Sequence, residues 1–263
     1  MPDPKLRFSD RVDDYARYRP GYPPAIIDLL RTECSLTPES VVADIGSGTG
    51  FLTRLFLENG NAVYAVEPNA AMREAGERLL INNPKFHSVT GSAEATTLPD
   101  ASVDFITAGQ AFHWFDAART RAEFLRVLRP HGWVAIVWNE RKTDSTPFLR
   151  DYETLLRTYG TDYGHVASTY LGSRHFEDFF GPDGLREKSF PNEQIFDFDS
   201  LKGRLMSSSY APQDEHPKHA PMLDELRRIF DAHQKNGRVR FEYETQVFYG
   251  HLRPAALGAA ESR

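Results

Sequence analysis

Val41-Val42-Ala43-Asp44-Ile45-Gly46-Ser47-Gly48-Thr49-Gly50 runs straight into Phe51-Leu52-Thr53-Arg54-Leu55-Phe56, and the reading of this stretch decides the fold. A short apolar run with β-branched residues is the pattern of a buried parallel strand. The glycines that follow let the backbone turn sharply and approach a ligand with no Cβ in the way. Phe51, Leu52, Leu55 and Phe56 recur at helical spacing, so a helix begins where the glycines end. Strand, glycine turn and helix N-terminus together form a cofactor cradle in a doubly wound α/β sheet.

The spacing bears on which cofactor fits. A dinucleotide fingerprint reads G-x-G-x-x-G, whereas this chain has Gly46-x-Gly48-x-Gly50 with Asp44 two places before the first glycine. A second acid, Glu67, closes the next apolar run, Ala62–Val66, at the roughly twenty-residue distance usual for a carboxylate that grips ribose hydroxyls. Downstream, Ala70 to Leu80 reads as a helix with Met72, Ala75 and Leu79 on one face, and Phe86–Thr90 as a third strand. Val103–Ala108 is a fourth strand. Leu125 and Leu128 sit on a helix ended by Pro130-His131-Gly132, and Trp133–Trp138 forms a fifth strand. Alternation of this kind implies a parallel sheet with ligands beyond the carboxyl ends of its strands.

From Asn139 the alternation breaks. Arg141 to Tyr159 reads as helix, Glu187 to Phe198 as strand, Asp199 to Ser209 and Pro221 to Gln234 as two helices. Arg238 to His251 alternates as a half-exposed antiparallel strand should. The expected fold is therefore α/β: a doubly wound, mostly parallel seven-stranded sheet whose last strand is antiparallel. The expected divisions are an N-terminal helical lid (1–38), an α/β core (39–139), a stretch completing the sheet with helical cap insertions (140–253), and a small-residue tail (254–263).

Composition narrows the function classes. The chain has 263 residues, a formal net charge of −6 and one cysteine, Cys34. Acids and bases are interspersed with no basic stripe, which disfavours a nucleic-acid substrate. One cysteine permits neither an intramolecular disulfide nor a cysteine-based zinc site. No apolar run approaches membrane-spanning length and the first ten residues lack the apolar core of a leader, so a cytoplasmic protein, monomer or homodimer, is expected, with no metal.

The D-x-G-x-G-x-G pattern from Asp44 to Gly50 resembles motif I of the class I S-adenosylmethionine (SAM) dependent methyltransferases. The run Tyr15, Tyr18, Arg19, Pro20, Tyr22, Pro23 and the segment Ala111-Phe112-His113-Trp114-Phe115 are similar to the trans-aconitate methyltransferase-like branch, with its type 11 methyltransferase domain. The resemblance implies a Rossmann-like methyltransferase fold that binds SAM and releases S-adenosylhomocysteine (SAH). It further implies that Gly46, Ser47, Gly48 and Gly50 meet the amino-acid part of SAM through backbone, with Asp44 orienting them or reaching the ammonium through water. Glu67 would take the ribose, Pro68, Asn69 and Met72 the adenine, and Ser92, Ala93 and Glu94 its edge. Gln110 and Ala111 would line the methionine part, with Tyr18 and Arg19 folding over as a lid. His113 could act as a base toward a hydroxyl substrate, hydrogen-bond the cofactor, or cap the next helix.

For the acceptor, Trp114, Arg141, Arg174, Arg204 and Tyr210 are the candidates, the arginines as clamps for an anion. Methyl transfer to a small-molecule carboxylate leads and a hydroxyl oxygen follows. A nicotinamide-dependent oxidoreductase and a catalytically silent SAM-binding protein are the rival readings.

Overall fold

The computed structural model describes residues 17–164, 173–181 and 184–252. Seven strands, β1 (Val41–Ile45), β2 (Ala62–Val66), β3 (Phe86–Val89), β4 (Val103–Gly109), β5 (Leu128–Arg141), β6 (Leu185–Phe196) and β7 (Val239–Gly250), form one sheet in the order β3-β2-β1-β4-β5-β7-β6. β1 to β5 pair in parallel, while β7 lies antiparallel between β5 and β6. From β1 the chain winds outward through β2 and β3, then returns to lay β4 on the other side of β1. The carboxyl ends of β1 and β4 thus flank the topological switch point, where ligands of such sheets bind.

Helices α1 (Ala25–Cys34), α2 (Phe51–Glu58), α3 (Ala70–Leu80) and α4 (Ala117–Val127) accompany the first five strands, followed by α5 (Pro147–Tyr159), α6 (Ser173–Phe180), α7 (Phe198–Met206) and α8 (His219–His233). Two apolar layers sandwich the sheet. Ile26, Leu30 and Phe56 of α1 and α2 close one face over Val42, Val63 and Phe105, and Phe124, Val127, Phe176 and Phe180 of α4 and α6 close the other over Ile45, Ile106 and Ile136. A third cluster joins α5, α7 and α8 to the start of β7 through Tyr152, Leu205, Leu226 and Phe241.

Several boundaries differ from the sequence reading for local reasons. Arg141 ends β5 and is not helical; the helix starts at Pro147, where Thr146 accepts from the Leu149 N–H and proline needs no donor. Leu128 opens β5 rather than continuing α4. Leu79 is 62% exposed while Met72 and Ala75 are buried, so the apolar face of α3 excludes it. β7 is not half-exposed: strands on both sides leave its last four residues buried. His131 accepts a positive φ of 65° where a glycine would be easier. The division at 139/140 falls inside β5, which pairs with β7 across it.

Within the expected lid, α1 is core: Ile26 and Leu30 are fully buried. Among the described residues of the lid, the strap of residues 17–22 crosses the ends of β5 and β6. Tyr15 and the tail at 254–263 lie outside the described residues, as does the side chain of Arg174. Ile26→Ala is expected to cost about 2–5 kcal/mol, read as a drop in the urea unfolding midpoint; an unmoved midpoint would make α1 a detachable cover.

Candidate functional site at the sheet switch point

The turn after β1 is held in place from β2. The Gly46 and Ser47 N–H groups both donate to the Val66 carbonyl (2.9 and 3.2 Å), and the Gly48 N–H donates to Glu67 Oε2 at 2.8 Å. Glu67 Oε1 accepts the Asn69 N–H at 2.8 Å, and Asn69 Oδ1 in turn caps α3 by accepting from Met72 N. Gly46, Gly48 and Gly50 all have positive φ. A Cβ on Gly46 would strike Ala111 Cβ at 2.6 Å and one on Gly50 would strike Leu80 at 2.5 Å, whereas Gly48 faces open space. Two of these glycines serve packing and the middle one leaves the backbone bare.

Burial raises the Glu67 carboxyl above its ordinary pKa, opposed by the Asn69 and Gly48 N–H groups and by Arg73. A carboxylate has about four acceptor positions. Two are taken by the backbone, which leaves two in a fixed orientation. The residues therefore suit a ribose diol beside an exposed turn of main chain.

Asp44 stands apart from the turn's N–H groups. It is fully buried, and its carboxylate accepts the hydroxyls of Thr53 on α2 (2.6 Å) and Thr107 on β4 (3.1 Å). Burial pushes its pKa up to about 6, against the two threonine hydroxyls and the Thr53 N–H and with the Glu67 charge. It ties β1, α2 and β4 together beneath the site. Thr53 and Thr107 escaped the sequence reading because a threonine in a helix or strand gives no sign of which face it takes.

On the β3 side, Ala93 is buried and Glu94 Oε1 accepts the Asp116 N–H at 3.0 Å. Ser92 and Ala95 close a small bridge between them. Asp116 caps α4 by accepting from Arg119 N, so helix capping falls to it and not to His113. On the β4 side, Gln110 has a positive φ of 55°, a costly conformation for a side-chain residue and one that gathers at functional sites. Its Nε2 donates to the Asn139 carbonyl at 2.9 Å, while its buried Oε1 has no partner. Phe112 anchors the short 3-10 turn Phe112–Trp114 against Phe176 and Phe179. His113 lies tilted against Trp114 (ring centroids 4.3 Å) and edge-on to Trp138 (5.2 Å), and Trp114 is 40% exposed.

The strap crosses the extended ends of β5, β7 and β6. Asn139 and Asn192 donate to the Gly21 carbonyl, and Gln194 donates to the Tyr18 carbonyl. Arg19 donates to the Ser207 carbonyl, and the Tyr18 ring lies where Gly203 lacks a side chain. Tyr18 and Arg19 therefore rest on the helical insertion, beside the acceptor candidates. Arg141 donates to Glu153 (2.5 Å) and Tyr163 (3.0 Å), so its guanidinium already has an anion. Arg204 is buried with Ser208 as a hydrogen-bond partner. Tyr210 packs partly buried at the edge of the third cluster.

Comparison with known proteins follows the same outline. Residues 43–136, from β1 into β5, match the methyltransferase domain family. An uncharacterized methyltransferase-like protein of Schizosaccharomyces pombe is 29% identical over 94% of this chain and 96% of its own length. An uncharacterized methyltransferase of Mycobacterium tuberculosis is 41% identical over 53% of this chain and 54% of its own. Among solved structures, an Anaeromyxobacter dehalogenans protein assigned as a type II methyltransferase superposes with a TM-score of 0.68 at 25% identity, covering 90% of this chain and 99% of that one.

The fold is that of the Rossmann-like methyltransferases. Among the described residues no helix is long and apolar enough to cross a membrane.

A raised carboxyl pKa favours the protonated native state, so the Asp44 contribution is full below about pH 4 and is lost as pH rises toward about 6. Asp44→Asn is expected to flatten the fall in melting temperature across that window relative to the wild type; parallel curves would remove Asp44 as its source.

Proposed function

We propose that this protein is a SAM-dependent methyltransferase acting on a small molecule, with a carboxylate as the leading acceptor and a hydroxyl oxygen second. The observation that carries the reading is the Glu67 carboxylate, oriented by the Gly48 and Asn69 N–H groups with two acceptor positions left over, beside a glycine with open space where its Cβ would be. Glu67 takes the ribose hydroxyls, and the bare backbone at Gly46–Gly50 takes the amino-acid end. Asn69 and Met72, at the start of α3, flank the adenine together with Pro68, and Ser92, Ala93 and Glu94 close over its edge. The buried, unpartnered Gln110 Oε1 faces a polar ligand group at the other end of the site, beside Ala111.

When bound, SAM supplies an activated methyl group on a sulfonium leaving group. The work left for this chain is alignment and exclusion of water, and effective molarity can contribute up to about 7–11 kcal/mol to such a step. A carboxylate acceptor is already ionised, so no base is required. For a hydroxyl acceptor His113, on the 3-10 turn after β4, is the group to accept the proton. The strap with Tyr18 and Arg19, and the insertion carrying α5, α7 and α8, cover the acceptor side as lid and cap.

The rival nicotinamide reading is separated by calorimetry with SAH and NAD in parallel. SAH is expected to bind and NAD to give no heat; the reverse result ends the methyl-transfer reading. Glu67→Ala is expected to weaken SAH binding at least tenfold, more than about 1.4 kcal/mol, and an unchanged affinity would mean that the ribose is held elsewhere.

A further inference from the structure

The loop that follows β3 is fastened to α4 at two places. At its near end Glu94 Oε1 accepts the Asp116 N–H, at the start of α4. At its far end Thr96 is fully buried. It donates its N–H (2.8 Å) and its hydroxyl (2.6 Å) to the same oxygen, Glu123 Oε1 in the second turn of α4.

Glu123 is itself clamped. Arg126 donates from Nη2 to Oε1 (2.7 Å) and from Nε to Oε2 (2.8 Å), and reaches Asp100 of the same loop through Nη1. The Arg126 pairing first, and then the Thr96 hydroxyl and N–H, hold the Glu123 carboxyl down to about 2 against burial. Near neutral pH the carboxylate is therefore ionised, and hydrogen bonds to an ionised acceptor are the stronger kind. Beyond Asp100 the Ala101 and Ser102 N–H groups donate to the Arg126 and Val127 carbonyls.

Two residues of this loop that are not glycine have positive φ, Thr97 at 66° and Ala101 at 46°. For a β-branched residue that backbone is an outlier, and it persists only where the surroundings over-determine it. On one side of Thr97, Thr96 is held by Glu123; on the other, Leu98 is buried in the apolar layer under α4. α4 does not depend on the bond, because Phe124 and Val127, both fully buried, seat it on the sheet.

The part so fixed is the tight turn Ser92–Ala95, whose ends exchange N–H···O bonds at 3.1 and 3.2 Å. The turn leans on the end of β2. A Cβ on Gly91 would meet the Thr96 carbonyl oxygen at 2.7 Å and Val66 Cγ1 at 3.0 Å, and Val66 adjoins Glu67. With main chain packed that closely, a shift of Thr96 carries Ser92, Ala93 and Glu94 with it.

We propose that Glu123 is a positioning residue for base recognition: through Thr96 it sets where Ser92, Ala93 and Glu94 meet the edge of the cofactor's purine, and so which purine the site accepts. It acts without touching the ligand, and the assignment rests on the SAM site proposed above.

The test is calorimetry on the full chain with SAH and with S-inosylhomocysteine, which keeps the ribose and amino-acid ends and differs only at the edge of the base. Wild type is expected to bind SAH at least tenfold more tightly than the inosine analogue. Glu123→Leu, similar in volume and without an acceptor, is expected to narrow that ratio to about threefold or less, the loss falling on SAH. Glu123→Gln, which keeps an oxygen for Thr96, is expected to fall between. A general loosening of the fold would weaken both ligands together and leave the ratio where it was. If Glu123→Leu does not fold, Glu123→Gln and Thr96→Val, which deletes only the hydroxyl, carry the test with a smaller narrowing.

A ratio unmoved by the Glu123 and Thr96 variants overturns the inference, as does a wild type that binds the two nucleosides equally. Wild type that binds neither removes the SAM reading itself, a failure visible before any variant is made.

Discussion

The Glu67 carboxylate, clasped by the N–H groups of Gly48 and Asn69, is the interaction on which the junction of β1, β2 and α3 depends. It joins the turn after β1 to the cap of α3, so two loops from neighbouring strands form one surface. The Val66 carbonyl reinforces the same junction by accepting from Gly46 and Ser47. Without this cross-strand hold, three glycines at positive φ would have many conformations to lose on binding. With it, the main chain is bare and already ordered.

Beneath that surface Asp44 binds α2 and β4 to β1 through two threonine hydroxyls. A buried acid satisfied by neutral donors is an expensive way to join three elements, and its cost depends on proton uptake. The strand that begins the fold is thus joined to α2 and β4 through one carboxyl. The same economy appears at Asn139, which meets Gln110, Gly21, Asn192 and Thr245 from one position on β5.

The two sides of the molecule differ in how they are held. From β3 to β5 the sheet is covered by apolar helix faces on both sides. Where β5, β7 and β6 extend beyond β4, the covering is a polar strap and an insertion lined with tyrosine and arginine. Hydrogen bonds from Asn139, Asn192 and Gln194 to strap carbonyls fix it there. A buried polar layer of that kind is demanding, because every donor must find a partner, and at Arg204 and Tyr152 the layer leaves donors over.

The sequence by itself determined the parallel core and the glycine turn at its switch point. Apolar runs, glycine spacing and helical periodicity are local signals, and the elements from Val41 to Trp138 follow from them with small errors at Leu79 and Leu128. Glu67 was legible for the same reason, since it closes a strand at a set distance from the glycines. Tertiary structure alone decided the rest. Whether Arg141 or Arg204 has a carboxylate beside it depends on Glu153, a helix residue brought up only when α5 packs on β7. Thr53, Thr107, Asn139 and Tyr152 gain their roles from partners up to 118 positions away, in the case of Asn139 and Gly21. Burial and pairing are set by what the folded chain brings together, and one stretch of sequence carries no record of its distant neighbours.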